Sequence, residues 1–424
     1  MHNREFLTPS IKGYLIWALA AFFYTYEFTL RVSPSVIVDN LILEFSAFEL
    51  SKATLGSLSA LYFYAYALTQ VPAGLLCDRF GIGRLLTFAC ILTTIGTFLF
   101  ASAHNLNAAN LSRLMIGAGS AFAFVSCLKL AKNWIPPAQL PIIVGLTNAF
   151  GMLGAILGNQ PLASLVNYLG WREAFYVLAC MGVALSISLW LCIPNTSPHT
   201  SHHTKGCTLK NKEPKRSILN DLIETLTQKQ TWLLAVYGCL LVAPIATFGE
   251  LWGVSFFQTR FAISKELASG LISWIFIGIG VGGPLIGAFA SKVPYYTIIM
   301  FTSTSLALLA LLLILYYPSL SLLETRSLLF LYGFFTSNML LCFTLIALRY
   351  SEFSNIAAIG FANMMIMAGG AAFQPLVGKL LDFKNLNSVL PSIADFRVAL
   401  SVLPLCLIIA LGLILFFKKP PLSE

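Results

Sequence analysis

Three ionisable residues stand inside otherwise apolar stretches of this chain: Glu27, Arg31 and Glu250. Glu27 and Arg31 are four residues apart, so on a helix they share one face, with Tyr24 beside them. Such a pair can simply neutralise itself near a water boundary. It can also grip a solute, the guanidinium taking an anionic group and the carboxylate an ammonium or a proton. Glu250 has no neighbouring cation in sequence and reads as the better protonation candidate, the plain alternative being a carboxylate reached by water. If these stretches cross a bilayer, ionised groups within them are costly and point to function by default. Arg113 opens another apolar run, where a snorkelling arginine is the plain alternative. Polar side chains that could line a path are Tyr62, Tyr66 and Gln70, spaced four apart on one face, together with Asn148, Asn159, Gln160, Asn338, Asn363 and Gln374. Half of these could equally serve as glue between helices.

The elements that must position these residues follow from composition. Of 424 residues, 58% are hydrophobic and 10% charged, with mean hydropathy +0.81. Soluble domains carry about 25% charged residues, so lipid must solvate most of the chain. The apolar runs are about 20 residues long, the length of a spanning helix, and lack the alternation of a β-barrel. They predict twelve helices over residues 13–38, 53–72, 85–103, 109–130, 141–166, 173–193, 231–257, 268–290, 295–317, 327–348, 356–381 and 394–417. The implied organisation is a six-helix bundle over 1–193, a solvated linker over 194–230 and a second six-helix bundle over 231–424. Within the linker, Ser217–Thr227 could form a short surface helix. Lys and Arg favour the side holding the termini and linker by about two to one, which predicts both termini in the cytoplasm. The polar start, Met1 to Lys12, precedes the first span without a convincing cleavage site. The nine cysteines are scattered singly and read as small buried hydrophobes. No metal cluster, nucleophile–base pair or nucleotide fingerprint appears, so an enzyme is disfavoured, and the linker's basic run lacks the interleaved aromatics of a nucleic-acid site.

Between the second and third runs lies a polar loop, Gly74-Leu-Leu-Cys-Asp78-Arg79-Phe-Gly81-Ile-Gly83-Arg84, with a weaker echo at Gly287-Ala-Phe-Ala-Ser291-Lys292. Asp78 aligns on Ser291 and Arg113 on Arg326 at a single offset. Gln160-Pro161-Leu162 aligns on Gln374-Pro375-Leu376 one residue away from it. The chain therefore reads as two copies of one membrane unit, an organisation typical of secondary transporters.

These motifs resemble the major facilitator superfamily. Gly74, Asp78, Arg79, Gly81 and Arg84 match its loop between helices two and three. Arg113, Gly117, Gly119 and Ala121 match the start of its fourth helix. Gly170-Trp171-Arg172-Glu173-Ala174-Phe175 matches the turn before its sixth. The resemblance implies two pseudo-symmetric bundles that alternate access to a central site, with Asp78, Arg79 and Arg84 in a conformational gate and Arg113 in proton coupling. Two departures stand out: Ser291 replaces an acid in the second loop, and the fifth helix lacks the Gly-Pro pair of drug antiporters. The run from Tyr24 to Ser35 resembles bacterial intraphagosomal amino-acid and nucleoside importers.

The sequence thus predicts a twelve-helix permease in a bacterial inner membrane, a monomer with the bilayer and a small-molecule substrate as its partners. It predicts proton-coupled import of an amino acid or nucleoside, with no cofactor beyond the proton. The alternatives are an organic anion or organophosphate exchanger anchored on Arg31, a small-molecule exporter, and a non-transporting receptor of the same fold.

Overall fold

The computed structural model describes residues 11–45, 51–136, 139–194, 225–293, 295–349, 352–384 and 391–418, without side chains at 71–75, 77–80, 141, 291, 347, 352–357 and 384. Most of the predicted linker, the surface helix proposed within it up to residue 224 and the side chains of Asp78, Arg79 and Ser291 therefore lie outside the described residues, while residues 225–227 are helical. Arg84 is described and exposed at the start of the third helix.

Twelve long helices fill the described residues. In the first half α1 runs from Ile11 to Val32 and resumes at Pro34–Glu44. It is followed by α2 (Lys52–Phe80), α3 (Ile82–Ala101), α4 (Leu106–Trp134), α5 (Leu140–Leu157, then Gln160–Leu169) and α6 (Trp171–Cys192). The second half holds α7 (Lys229–Phe261), α8 (Lys265–Lys292), α9 (Tyr296–Tyr316), α10 (Leu322–Ile346), α11 (Glu352–Lys384) and α12 (Ile393–Ile414). Ten of these are long and apolar enough to cross a membrane, all but α1 and α2. The exceptions are the two helices that carry Glu27, Arg31, Tyr62, Tyr66 and Gln70.

The loop predicted at Gly74–Arg84 is corrected by the structure. The hydrophobic run ends there, but the helix continues to Phe80 and breaks at Gly81 alone, whose φ of 83° favours a residue without Cβ. The Gly-Trp-Arg turn has a similar cause: Gly170, at φ 96°, lets α6 start directly after α5. Arg172 then bonds the carbonyls of Ala101 (2.6 Å) and Ala103 (2.8 Å), tying α6 to the exposed end of α3.

Within the first half, hydroxyls of α1 reach helix carbonyls of α5: Thr25 to Phe150 and Thr29 to Gly154, both at 3.0 Å. The call here is for small residues, since a Cβ at Gly154 would lie 2.1 Å from the Thr25 carbonyl.

We call the face where α1 begins the near face and its opposite the far face. The two halves meet along α2 with α11 and along α5 with α8, and their polar contacts gather toward the far face. The Asp382 carboxylate on α11 accepts from the backbone N–H groups of Lys52 (3.0 Å) and Ala53 (2.7 Å), capping the exposed start of α2 from the other half. Lys265 of α8 donates to Asn40 of α1 at 2.9 Å. The far end is therefore closed. Replacing Asp382 by Ala removes two charge-assisted bonds at a helix N-terminus, each worth about 1.5–3 kcal/mol. Faster hydrogen exchange at the Lys52 and Ala53 amides is the expected outcome, and unchanged exchange would show this contact to be idle.

Candidate functional site

Pro34 sets the site's geometry. Lacking an N–H, it frees the carbonyl of Leu30 one turn earlier. That oxygen accepts from Ser33 Oγ at 2.8 Å and from Arg113 Nη1 at 3.1 Å. Arg113 is only 1% exposed. It does not snorkel to a surface: its guanidinium lies 5.1 Å from the centre of the Tyr62 ring, inside the first half. Its Nε and Nη2 have no hydrogen-bond partner.

The sequence pairs Glu27 with Arg31 and leaves Glu250 alone; the structure reverses this. Arg31 reaches across the halves to Glu250, with Nε to Oε2 and Nη2 to Oε1 both at 2.9 Å. The two bonds run in parallel, the strongest geometry open to an arginine and a carboxylate. Arg31 also stands over the rings of Phe28 (4.9 Å) and Phe63 (5.0 Å), which shield the pair from water. Arg31 is therefore no free anion anchor, and Glu250 is not the unpaired acid. Glu27, fully buried, accepts from the Tyr62 hydroxyl at 2.6 Å on Oε2, while its Oε1 has no hydrogen-bond partner.

Tyr62 thus touches both Glu27 and Arg113, one through its hydroxyl and one through its ring. Tyr66 lies one turn along α2, its ring 5.9 Å from that of Tyr62, and hydrogen-bonds Asn363 of α11. Tyr24 packs on Phe28 (5.0 Å) and Phe124 (5.4 Å). Tyr24, Glu27, Arg31, Tyr62, Tyr66, Arg113 and Glu250 therefore form one cluster, with Asn363 at its border.

Three other predicted residues lie apart from it. Asn338 is locked in the second half, accepting from Tyr237 (2.7 Å) and donating to Thr304 (3.3 Å) and the Phe335 carbonyl (2.9 Å). It lines no path. Asn148 sits where α5 meets Gly283 of α8, with Nδ2 unpartnered. Gln374 clasps α7: its Nε2 donates to the Ala246 carbonyl at 2.7 Å, and its own carbonyl accepts from Trp252 at 3.2 Å. Ala246 and Glu250 share an eight-residue π-helical stretch, Ile245–Trp252, that begins directly after Pro244. The π register was invisible in the sequence, although the proline marked its start. Phe63, the second ring on Arg31, was missed because a lone phenylalanine in a membrane helix carries no signal.

Among the described residues no group of His, Cys, Asp or Glu could hold a metal ion. A groove of about 370 Å³ lined by Thr87, Ile91, Val183, Ile187 and Trp190 lies on the outer flank between α3 and α6, away from the cluster.

The profile of the Major Facilitator Superfamily matches residues 14–375. A transporter of uncharacterised cargo from Bacillus subtilis (strain 168), YybO, is 25% identical over 312 residues, 69% of this chain and 67% of its own length. Probable anion transporter 7 of Oryza sativa subsp. japonica is 30% identical over 155 residues, 36% of this chain and 35% of its own. Vesicular glutamate transporter 1 of Xenopus laevis is 25% identical over 162 residues, 38% of this chain and 28% of its own. The chain thus spans about a third of the length of these last two. Among solved structures, a bacterial homologue of the human lysosomal transporter Spinster superposes with a TM-score of 0.76 at 17% identity, covering 97% of this chain and 98% of its own. A D-xylose–proton symporter gives 0.72 at 13% identity, covering 98% and 99%.

Proposed function

The chain belongs to the major facilitator superfamily, a family of transporters, and from that premise we propose that it moves a small zwitterion, an amino acid foremost, across a membrane by alternating access coupled to a proton. One observation carries the proposal. Two buried groups of opposite charge, Glu27 and Arg113, flank Tyr62, and each keeps hydrogen-bonding capacity that no protein group uses. Unmatched buried polar groups are costly. A ligand with a carboxylate for Arg113 and an ammonium for Glu27 would match both. A nucleoside could hydrogen-bond both but would compensate neither charge, and this sets the amino acid ahead of it.

With no solute present, a proton on Glu27 would take the place of the ammonium on that carboxylate, which makes Glu27 the coupling acid in this reading and has proton and solute alternate on it. Orientation follows the Lys and Arg bias, with the near face cytoplasmic in a bacterial inner membrane. The closed far end then faces outward, and the protein acts as a monomer.

The test is uptake of labelled amino acids into proteoliposomes under an imposed proton gradient. The wild type is expected to accumulate them, and Arg113→Gln to lose about 100-fold in transport, the equivalent of one or two charge-assisted hydrogen bonds. Equal uptake of the corresponding amines, which have no carboxylate, would overturn the reading.

A second reading, an organic anion exchanger, is favoured by the same free guanidinium edge of Arg113 and by the relatives named as anion transporters. It predicts counterflow that ignores the proton gradient and persists in Glu27→Gln.

A further inference from the structure

Arg31 has two carboxylates within its reach, and they differ in kind. Glu250 belongs to the other half and holds Arg31 in this structure, where the far end is closed. Glu27 belongs to the same helix, one turn earlier, in the order in which an acid four residues before a base pairs best. It travels with Arg31 whatever the halves do. Its Oε1 is unpartnered, so it can accept a guanidinium N–H without giving up Tyr62.

We propose that Arg31 changes partner during the transport cycle, held by Glu250 when the far end is closed and by Glu27 when it is open, so that the ionisation of Glu27 sets which end opens. The physical reason is the cost of separation. Pulling Glu250 away costs Arg31 a doubly hydrogen-bonded carboxylate, and a second carboxylate that takes over lowers that penalty. Ionised Glu27 supplies that carboxylate. Protonated Glu27 carries no charge to offer, so Arg31 stays with Glu250 and the far end stays shut. A proton arriving at the open far end would therefore promote closure behind it.

Few other groups enter this balance. Around Glu27 and Arg31 stand Tyr24 on the same helix, Tyr62 and Tyr66 from α2, Arg113 and Cys127 from α4, and Glu250 from α7. Among these, Glu27 and Glu250 are the only carboxylates, and Glu250 already has its arginine. The inference rests on alternating access and is independent of which solute is carried.

The experiment is hydrogen–deuterium exchange on the full-length protein in lipid nanodiscs without substrate, in buffers on either side of neutrality, corrected for intrinsic exchange. The probes are the far-end amides of Pro34–Glu44 and Gly253–Phe261. In the wild type their exchange should rise about tenfold from the acidic to the alkaline buffer, the size of a 1.4 kcal/mol population shift. Glu27→Gln should stay protected in both buffers, and Glu250→Gln should exchange fast at high pH. Glu27→Asp should retain the pH response and guards against a folding artefact. A Glu27→Gln protein that keeps the wild-type pH response would overturn the proposal. So would a Glu250→Gln protein as protected as wild type at high pH. Because no solute is present, failure here leaves the cargo reading standing, and failure of amino-acid uptake leaves this one standing.

Discussion

Glu250→Gln is expected to cost the closed far end about 3–5 kcal/mol, because it leaves Arg31 buried and charged without its partner. Arg31 and Glu250 are 5% and 2% exposed at their side chains, so water cannot take over the lost bonds while that end stays shut. Transport should fall by about two orders of magnitude, and the melting temperature in detergent should drop by several degrees. The double variant Arg31→Gln with Glu250→Gln replaces both charges by neutral amides that can still bond each other. It should recover most of the melting temperature and none of the transport. Recovery of stability alone would separate the pair's structural cost from its role in the cycle. If the two single losses instead summed in the double variant, the residues would not be coupled, and the ion pair would carry no weight.

A second large effect is expected at a residue that carries no charge. A Cβ at Gly117 would stand 2.2 Å from the Tyr62 carbonyl oxygen and 2.9 Å from the Tyr62 Cα. Both are backbone atoms, so no side chain can swing aside. Gly117→Val must push α4 off α2, at a cost of about 1–3 kcal/mol or more. Arg113 lies one turn before Gly117 on the same helix, so the shift should also break its bond to the Leu30 carbonyl and its stacking on Tyr62. The expected result is a lowered melting temperature together with lost uptake. Gly145→Ala is the matched control. Nothing lies within 4 Å of a Cβ there, and the added methyl favours the helix by up to about 1 kcal/mol, so stability and transport should hold. Wild-type uptake by Gly117→Val would mean that the contact between α2 and α4 does not position the site.

Much of the fold was legible because membrane helices are written locally. Each must satisfy its own backbone and present apolar side chains to lipid, so the runs of hydrophobic residues located all twelve spans. The ends were less legible. Hydropathy stops where charges begin, but hydrogen bonding does not, and α2 runs on through Asp78 and Arg79 to Gly81. The repeat was legible at Gln160-Pro161 and Gln374-Pro375, yet the two copies do different things. Gln160 is exposed and lies against Gly270 of α8, whereas Gln374 is buried and clasps the π-helical stretch of α7.

By itself, the sequence determined which polar groups are candidates for a site. Glu27, Arg31, Tyr62, Tyr66, Arg113 and Glu250 stand out as polar groups in apolar helices, and the cost of placing them in lipid already marks them. It determined Pro34 too, and hence the free carbonyl at Leu30, since a missing N–H is a covalent fact. Only the tertiary structure decided the pairing. Sequence spacing sees the acid four residues from Arg31 and is blind to the one on α7, because which carboxylate faces an arginine depends on how two separately folded halves meet. That meeting gave Arg31 to Glu250, while packing within the first half set Arg113 against the ring of Tyr62 and left Glu27 and Arg113 with unused hydrogen-bonding capacity.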